Sequence, residues 1–269
     1  MNTKIKSINL HTDVTLQYVE QGDPSGVPVL FLHGMSDTWR SYESFLPHLP
    51  KNIHAFALTL RGHGDSSHPE TGYTSHDFAE DIAAFIESLQ LDAAVLVGHS
   101  MGTTIAQRIA LDNPGRLLGL VLISALPPGI NNNPAFQELS TFVSQLEDPV
   151  DPDFVREFQK STLAQPVSQA FLETVVQESL KLPARVWKKL VNEEFGEVPS
   201  EKLREIITPT LFVWGNLDQL VSSSDQKTLS ELIPNSHFLV YENTGHAVHW
   251  EMPAQLAKDL MVFIESVTP

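Results

Sequence analysis

The sequence predicts an α/β fold with a mostly parallel sheet covered by helices on both faces, and three observations carry that expectation. Short, continuous apolar runs at 27–32, 53–60, 93–97 and 117–123 have the composition of strands buried on both sides. Segments of helical period alternate with them; residues 77–89 place Phe78, Ile82, Phe85, Ile86 and Leu89 on one face. The chain has 269 residues, 42% hydrophobic and 19% charged, which suits one large globular domain or one domain with an insertion.

The elements follow in order. Residues 5–12 and 14–20 alternate like a half-exposed hairpin, and Gly22-Asp23-Pro24 turns the chain after it. The strand at 27–32 ends in His33-Gly34. A helix is predicted over 39–49, stopped by Pro50. The strand at 53–60 runs into the loop Arg61-Gly62-His63-Gly64-Asp65-Ser66. After the helix at 77–89 come the strand at 93–97, a helix from Met101 closed by Asn113-Pro114, and the strand at 117–123.

At Pro127-Pro128-Gly129 the alternation stops, and no strand pattern returns before about Pro199. Helical segments are separated there by Asp148-Pro149, Asp151-Pro152, Gln165-Pro166 and Leu182-Pro183, and they carry Phe136, Phe142, Phe154, Phe158, Phe171, Trp187 and Phe195. A strand at 210–214, a helix at 223–232, a strand at 237–241 and a helix at 253–266 complete the chain. The expected organisation is a core of 1–126 and 200–269 with 127–199 inserted as a helical cap, or lid. Such an insertion falls at the carboxyl ends of the strands, where open α/β sheets bind ligands.

Composition narrows the function. A formal net charge of −16 disfavours nucleic acid and anionic membrane surfaces as partners. The chain has no cysteine, which excludes disulfides, thiolate metal sites and a cysteine nucleophile. Its eleven histidines include no His-Glu-x-x-His spacing, and no Gly-Lys-Ser/Thr accompanies the glycines at 62 and 64, so neither a metal, a phosphate loop nor any other cofactor is expected. The first residues lack the apolar centre of a signal peptide and no stretch has membrane-spanning length, so the expected location is cytoplasmic. The expected partner is a small molecule. Monomer and homodimer are both open.

The chemistry lies in Gly98-His99-Ser100-Met101-Gly102, between the 93–97 strand and the helix from Met101. Gly-x-Ser-x-Gly on a sharp strand-to-helix turn is a nucleophile elbow, which exposes a serine hydroxyl beside the free N–H groups of a helix start. Such a serine needs an orienting carboxylate and a base. Gly215-Asn216-Leu217-Asp218 directly follows the 210–214 strand, whereas the loop after 123 offers Ser124-Ala125 and no acid, so Asp218 is the candidate carboxylate. The loop after the 237–241 strand carries Gly245-His246, which makes His246 the candidate base, with His249 as competitor. The candidate oxyanion donors are the backbone N–H groups of Met101 and Met35, the latter within His33-Gly34-Met35-Ser36. Ser36 and Trp187 are candidate substrate-binding residues.

These residues resemble the α/β-hydrolase superfamily, of the serine hydrolase or esterase type with a helical cap. The resemblance rests on His33-Gly34, Arg61 to Ser66, Gly98 to Gly102, Gly215 to Asp218, and Gly245-His246 with Glu251-Met252-Pro253, and it spans nearly the whole chain. It implies an eight-stranded sheet with a helical lid after the sixth strand, attack by Ser100 on a carbonyl, proton transfer by His246, and Asp218 holding the imidazole. Two positions depart from the pattern. Thr59 stands where many relatives carry aspartate, and Thr103 where a third glycine is common.

A serine at position 100 disfavours the epoxide and haloalkane chemistries of similar chains, which need an aspartate there. The expected function is hydrolysis of carboxylic esters, including lactones, of small and largely apolar substrates through an acyl-enzyme. Alternatives on the same framework are a carbon–carbon bond hydrolase, a cofactor-free perhydrolase, and a ligand receptor with slow turnover.

Overall fold

The computed structural model describes residues 4–192, 195–196 and 198–268. Eight strands form a single sheet in the order β1-β2-β4-β3-β5-β6-β7-β8. They are β1 (Ile5–Asn9), β2 (Thr15–Gly22), β3 (Val27–Leu32), β4 (Ile53–Thr59), β5 (Ala94–His99), β6 (Leu117–Ile123), β7 (Thr210–Gly215) and β8 (Ser236–Tyr241). From β4 to β8 every pairing is parallel; β2 pairs antiparallel with both β1 and β4, so it alone runs against the other strands. The central strands are buried on both faces, which explains their unbroken apolar sequence.

Strand alternation divides the core into two layers. Leu30, Leu32, Leu96, Leu120 and Leu122 face one way, toward the helices α1 (Ser75–Ser88) and α2 (Met101–Asp112). Val29, Phe31, Val95, Val97, Val121 and Ile123 face the other way, toward Tyr42, Phe45 and the last helix, α10 (Pro253–Val267). Thr74 starts α1 with a capping box: its hydroxyl accepts from Asp77 N while the Asp77 carboxylate accepts from Thr74 N.

Among the described residues, the chain between β6 and β7 is helical and contains no strand. It forms α3 (Pro134–Val143), α4 (Pro152–Ser161), α5 (Gln169–Ser179), α6 (Ala184–Leu190) and the short α7 (Ser200–Leu203). Pro134 and Pro152 each occupy a first-turn position, where their missing N–H is no loss, and Asn133 and Asp151 cap the same ends. Phe154, Phe158 and the fully buried Trp187 pack edge to face inside this segment, which continues the α2-side core.

One predicted element differs. The expected helix over 39–49 is two single 3-10 turns, Trp39–Tyr42 and Leu46–His48. Pro47 has no N–H to continue a helical ladder, and Pro50 keeps Leu49 extended at ψ 140°. After β7 come α8 (Ser223–Leu232), and after β8 the short α9 (Val248–Glu251), which ends just before α10. Among the described residues no helix is long and apolar enough to cross a membrane.

Candidate active site

Ser100 joins β5 to α2 with φ 50° and ψ −118°, a strained backbone for a residue with a side chain. The flanking glycines are required by contact. A Cβ on Gly98 would lie 2.4 Å from the Gly102 carbonyl oxygen, and one on Gly102 would lie 2.5 Å from that of Leu32. Ser100 N–H donates to Ile123 O at 3.0 Å, and Ser124 N–H donates to Val213 O at 2.8 Å, so the ends of β5, β6 and β7 are stitched together. Thr103, in place of a third glycine, is fully buried; it donates to Ser100 O at 2.6 Å and accepts from Leu126 N at 3.1 Å. It clamps the turn to the chain leaving β6. Thr59 accepts from Trp39 N at 3.2 Å and so holds the first 3-10 turn.

The loops after β7 and β8 are bonded to each other. Asn216 N–H donates to Tyr241 O and Leu217 N–H to Thr244 O, both at 2.9 Å, while Asn243 N–H donates to Asn216 Oδ1 at 2.7 Å. This zipper brings His246 Nδ1 to 2.8 Å from Asp218 Oδ2. The other carboxylate oxygen, Oδ1, accepts from Leu220 N at 2.9 Å and Val221 N at 3.1 Å. Burial alone would raise the Asp218 carboxyl, but the charge and hydrogen bond of His246, with the two backbone donors, outweigh it and hold it below its ordinary value. The His246 carbonyl accepts from Ser124 Oγ at 2.8 Å and from His99 Nε2 at 3.2 Å, which fixes the backbone of the loop.

His249, the competing histidine, lies elsewhere. It is fully buried, its ring tilted against Tyr42 with centroids 4.8 Å apart, and its Nε2 lies 2.8 Å from Ser41 Oγ. Burial, with the charge of His246 added, pushes its pKa down to about 3, so it is neutral at physiological pH.

Ser100 and His246 line one cavity of about 260 Å³ beneath the helical segment. Met35 and Met101 line it too. His33 Nε2 accepts from Leu60 N at 3.0 Å, so its Nδ1 carries the proton and donates to Gly34 O at 2.8 Å. In a planar trans peptide the N–H opposes the C=O, so pinning the Gly34 carbonyl fixes the direction of the Met35 N–H. Among the described residues that N–H has no intramolecular hydrogen-bond partner. The Met101 N–H, in the first turn of α2, has no intrahelical acceptor either.

The two candidate substrate-binding residues are not among the residues lining the cavity. Trp187 is enclosed by Phe154 and Phe158, which stand four residues apart on α4, with ring centroids 5.5 and 5.2 Å away; it belongs to the core of the insertion. Ser36, at φ 65° and buried, accepts from Gln159 Nε2 at 3.1 Å. Arg61 is held in a two-pronged ion pair with buried Asp81, Nε to Oδ2 and Nη2 to Oδ1 each at 2.6 Å, which makes its loop a structural brace.

Several cavity-lining polar residues have no part in the sequence reading, among them Asp37, Gln107 and Gln159. Asp37 could have been noticed, since it stands two residues beyond Met35. Gln107 shares the Ser100 face of α2 at helical spacing. Gln159 leaves no local mark, because it depends on how α4 docks. It donates to Asp37 Oδ1 at 3.0 Å and Ser179 Oγ at 2.8 Å. The remaining walls are mostly apolar, among them Ile130, Phe136, Leu139, Phe158, Leu190, Phe195 and Val198. Among the described residues no group of histidine, cysteine and carboxylate side chains is arranged to hold a metal ion.

Comparisons with known proteins agree with this architecture. The family model for the alpha/beta hydrolase fold matches residues 27–253. Non-heme chloroperoxidase of Streptomyces lividans is 30% identical over 93% of this chain and 95% of its own length. Monoacylglycerol lipase ABHD6 of Mus musculus is 30% identical over 96% of this chain and 81% of its own. Among solved structures, the esterase RhEst1 from Rhodococcus sp. ECU1013 superimposes with a TM-score of 0.87 at 27% identity, covering 98% of this chain and 99% of that one. The chain belongs to the α/β-hydrolase family.

Proposed function

We propose that the chain hydrolyses carboxylic esters, lactones included, of small and largely apolar substrates through an acyl-enzyme on Ser100. The observation that carries this reading is the His246–Asp218 hydrogen bond, 2.8 Å long, made by a histidine that lines the same cavity as the strained Ser100. With Nδ1 engaged by Asp218, His246 presents Nε2 to the serine. It takes the Ser100 proton as Oγ attacks the carbonyl carbon, and the resulting imidazolium is stabilised by the Asp218 carboxylate. The N–H groups of Met35 and Met101 donate to the developing oxyanion; one such donor typically contributes about 3–4 kcal/mol to the transition state. Collapse expels the alcohol, which leaves with the proton from His246, and water then repeats the cycle on the acyl-enzyme. Residues 127–199 act as the cap over this cavity. Its apolar walls suit an apolar acyl group.

A panel of short- to medium-chain aryl esters, assayed with wild type and Ser100→Ala, tests the reading. Turnover by wild type with a loss of at least ~10³-fold in Ser100→Ala is expected. Equal rates in the two proteins would remove Ser100 from the chemistry.

The chloroperoxidase relative favours a second reading, cofactor-free perhydrolysis on the same acyl-enzyme. Hydrogen peroxide replaces water as the attacking group, His246 takes its proton, and the acyl group leaves as a peracid. Oxidation of an added thioether to its sulfoxide, dependent on both ester and peroxide, would report it.

A further inference from the structure

The α2 wall of the cavity carries an amide without a partner. Gln107 is 2% exposed and lines the cavity, and its Nε2 has no hydrogen-bond partner among the described residues. Buried amide groups are nearly always paired, because an unpaired one loses its hydration with no return. Thr104 and Gln107 follow Ser100 by four and seven residues and so continue its face of α2. At 1.5 Å per residue, Gln107 lies about 10 Å beyond Ser100 along the helix axis. Phe136, Leu139 and Leu190 supply apolar lining to the same cavity. Among the described residues no lysine or arginine lines the cavity, and Asp37 does. A ligand group meeting the amide is therefore uncharged.

The direction of the substrate follows from the chemistry. The leaving-group oxygen must face His246, whose loop is bonded to the end of α4 through Ala247 N–H and Thr162 O at 3.1 Å. The acyl chain is left with the path along α2.

We propose that Gln107 determines substrate specificity by donating its amide N–H to a neutral oxygen function, a keto or hydroxyl group, carried partway along the acyl chain. The preferred substrates are then esters of medium-chain oxo- or hydroxy-acids. This rests on the ester-hydrolase reading for the name of the substrate, but its test does not require turnover.

The test measures binding by titration calorimetry to Ser100→Ala protein, so that no ligand is consumed. The ligands are methyl esters of one chain length, either plain or with a keto group moved stepwise along the chain. One keto position should bind about tenfold or more tightly than the plain chain, and the added change Gln107→Leu should erase that preference. Gln107→Met, a second apolar replacement of similar length, should do the same. A plain chain that binds as well as every keto isomer would overturn the proposal, and so would a keto preference that survives both replacements. In parallel, wild type is assayed on the p-nitrophenyl esters of the same acids. Failure to hydrolyse any of them counts against the ester-hydrolase reading alone, because the calorimetry still decides the role of Gln107.

Discussion

Gln159 on α4 donates its Nε2 hydrogen to Asp37 Oδ1 at 3.0 Å, joining the inserted helices to the loop that carries Met35. The acceptor is an uncomfortable carboxylate. Burial raises Asp37 to about 7, against the hydrogen bonds from Gln159 and Ser41, the charge of His246 and the backbone hydrogen bond at Gly34. His99 Nδ1, 4.0 Å from Oδ2, also faces it. With Nε2 directed at the His246 carbonyl, that Nδ1 is a bare lone pair.

This arrangement gives a stability prediction with a definite sign. An unfolded aspartate titrates near its ordinary 3.8, whereas the folded one titrates at about 7. Between those values the native state holds a proton that the unfolded chain has released, so stability falls as pH rises through that window. The full effect is on the order of 4 kcal/mol for a shift of this size. Buried His249 acts in the opposite sense, since its folded value of about 3 lies below the ordinary 6.5 and stability is lost as pH falls. The difference between wild type and Asp37→Asn isolates the carboxylate. Denaturant melts at stepped pH should show the variant gaining on wild type from about pH 4 to about pH 7. Parallel curves would place the Asp37 carboxyl in its ordinary range.

The two neighbouring histidines should separate cleanly by substitution. His246→Ala removes the proposed base and should reduce kcat by at least ~10³-fold with little change in melting temperature. His249→Ala removes a buried ring bonded to Ser41 and packed against Tyr42, and should lower stability by about 2–4 kcal/mol while retaining most of kcat. Kinetics and melting on both variants decide the assignment, and the opposite pattern would move the base by one helical turn.

Much of the fold was legible because the parallel strands are buried on both faces. Val27–Leu32 and Leu117–Ile123 have the bounds that their apolar runs predict, and α8 and α10 follow their helical period. The 39–49 segment misled because its apolar residues recur at helical spacing, while Pro47 and Pro50 act on backbone hydrogen bonds that periodicity does not register. The serine, acid and base candidates stand at strand ends, where position alone selects them. Trp187 packs against Phe154 and Phe158 rather than at the cavity wall, and in sequence an aromatic residue in a helical insertion reads the same in either place. Asp37 and Gln107 leave a positional trace beside Met35 and on the Ser100 face of α2, whereas Gln159 acquires its role only through tertiary contact, since no spacing in the chain encodes the docking of α4 on the loop after β3.

Glu251 ties the base loop to the inserted helices. Its Oε1 accepts from Gly245 N at 3.0 Å and Ala164 N at 3.1 Å, and its Oε2 accepts from Gln165 N at 2.8 Å. Glu251→Ala strands three backbone donors and should destabilise the protein by about 2–4 kcal/mol. With His246 one residue from Gly245, kcat should fall as well. Glu251→Gln, which keeps an acceptor oxygen, should recover part of both losses. A Glu251→Ala protein as active and as stable as wild type would mean that the base loop is held by its own zipper with the β7 loop.

The elbow tolerates no side chain on its helix side. Gly102→Ala places a methyl group 2.5 Å from Leu32 O and 2.8 Å from His33 O, both backbone atoms that cannot swing aside. A loss of about 3 kcal/mol or more is expected, together with loss of activity, because the strand displaced is the one leading into the Met35 loop. Gly115→Ala, where nothing stands within 4 Å, is the matched control and should melt close to wild type. Equal melting of the two variants would show that the elbow packs more loosely than these contacts imply.

Covalent labelling reads out whether Ser100 is a nucleophile activated by His246. A fluorophosphonate probe added to the folded protein should attach stoichiometrically to the peptide containing Ser100, as mapped by mass spectrometry. Labelling should be slowed strongly in His246→Ala and absent in Ser100→Ala. A probe that leaves Ser100 unmodified would remove it as the nucleophile, and one that labels His246→Ala as fast as wild type would remove His246 as its base.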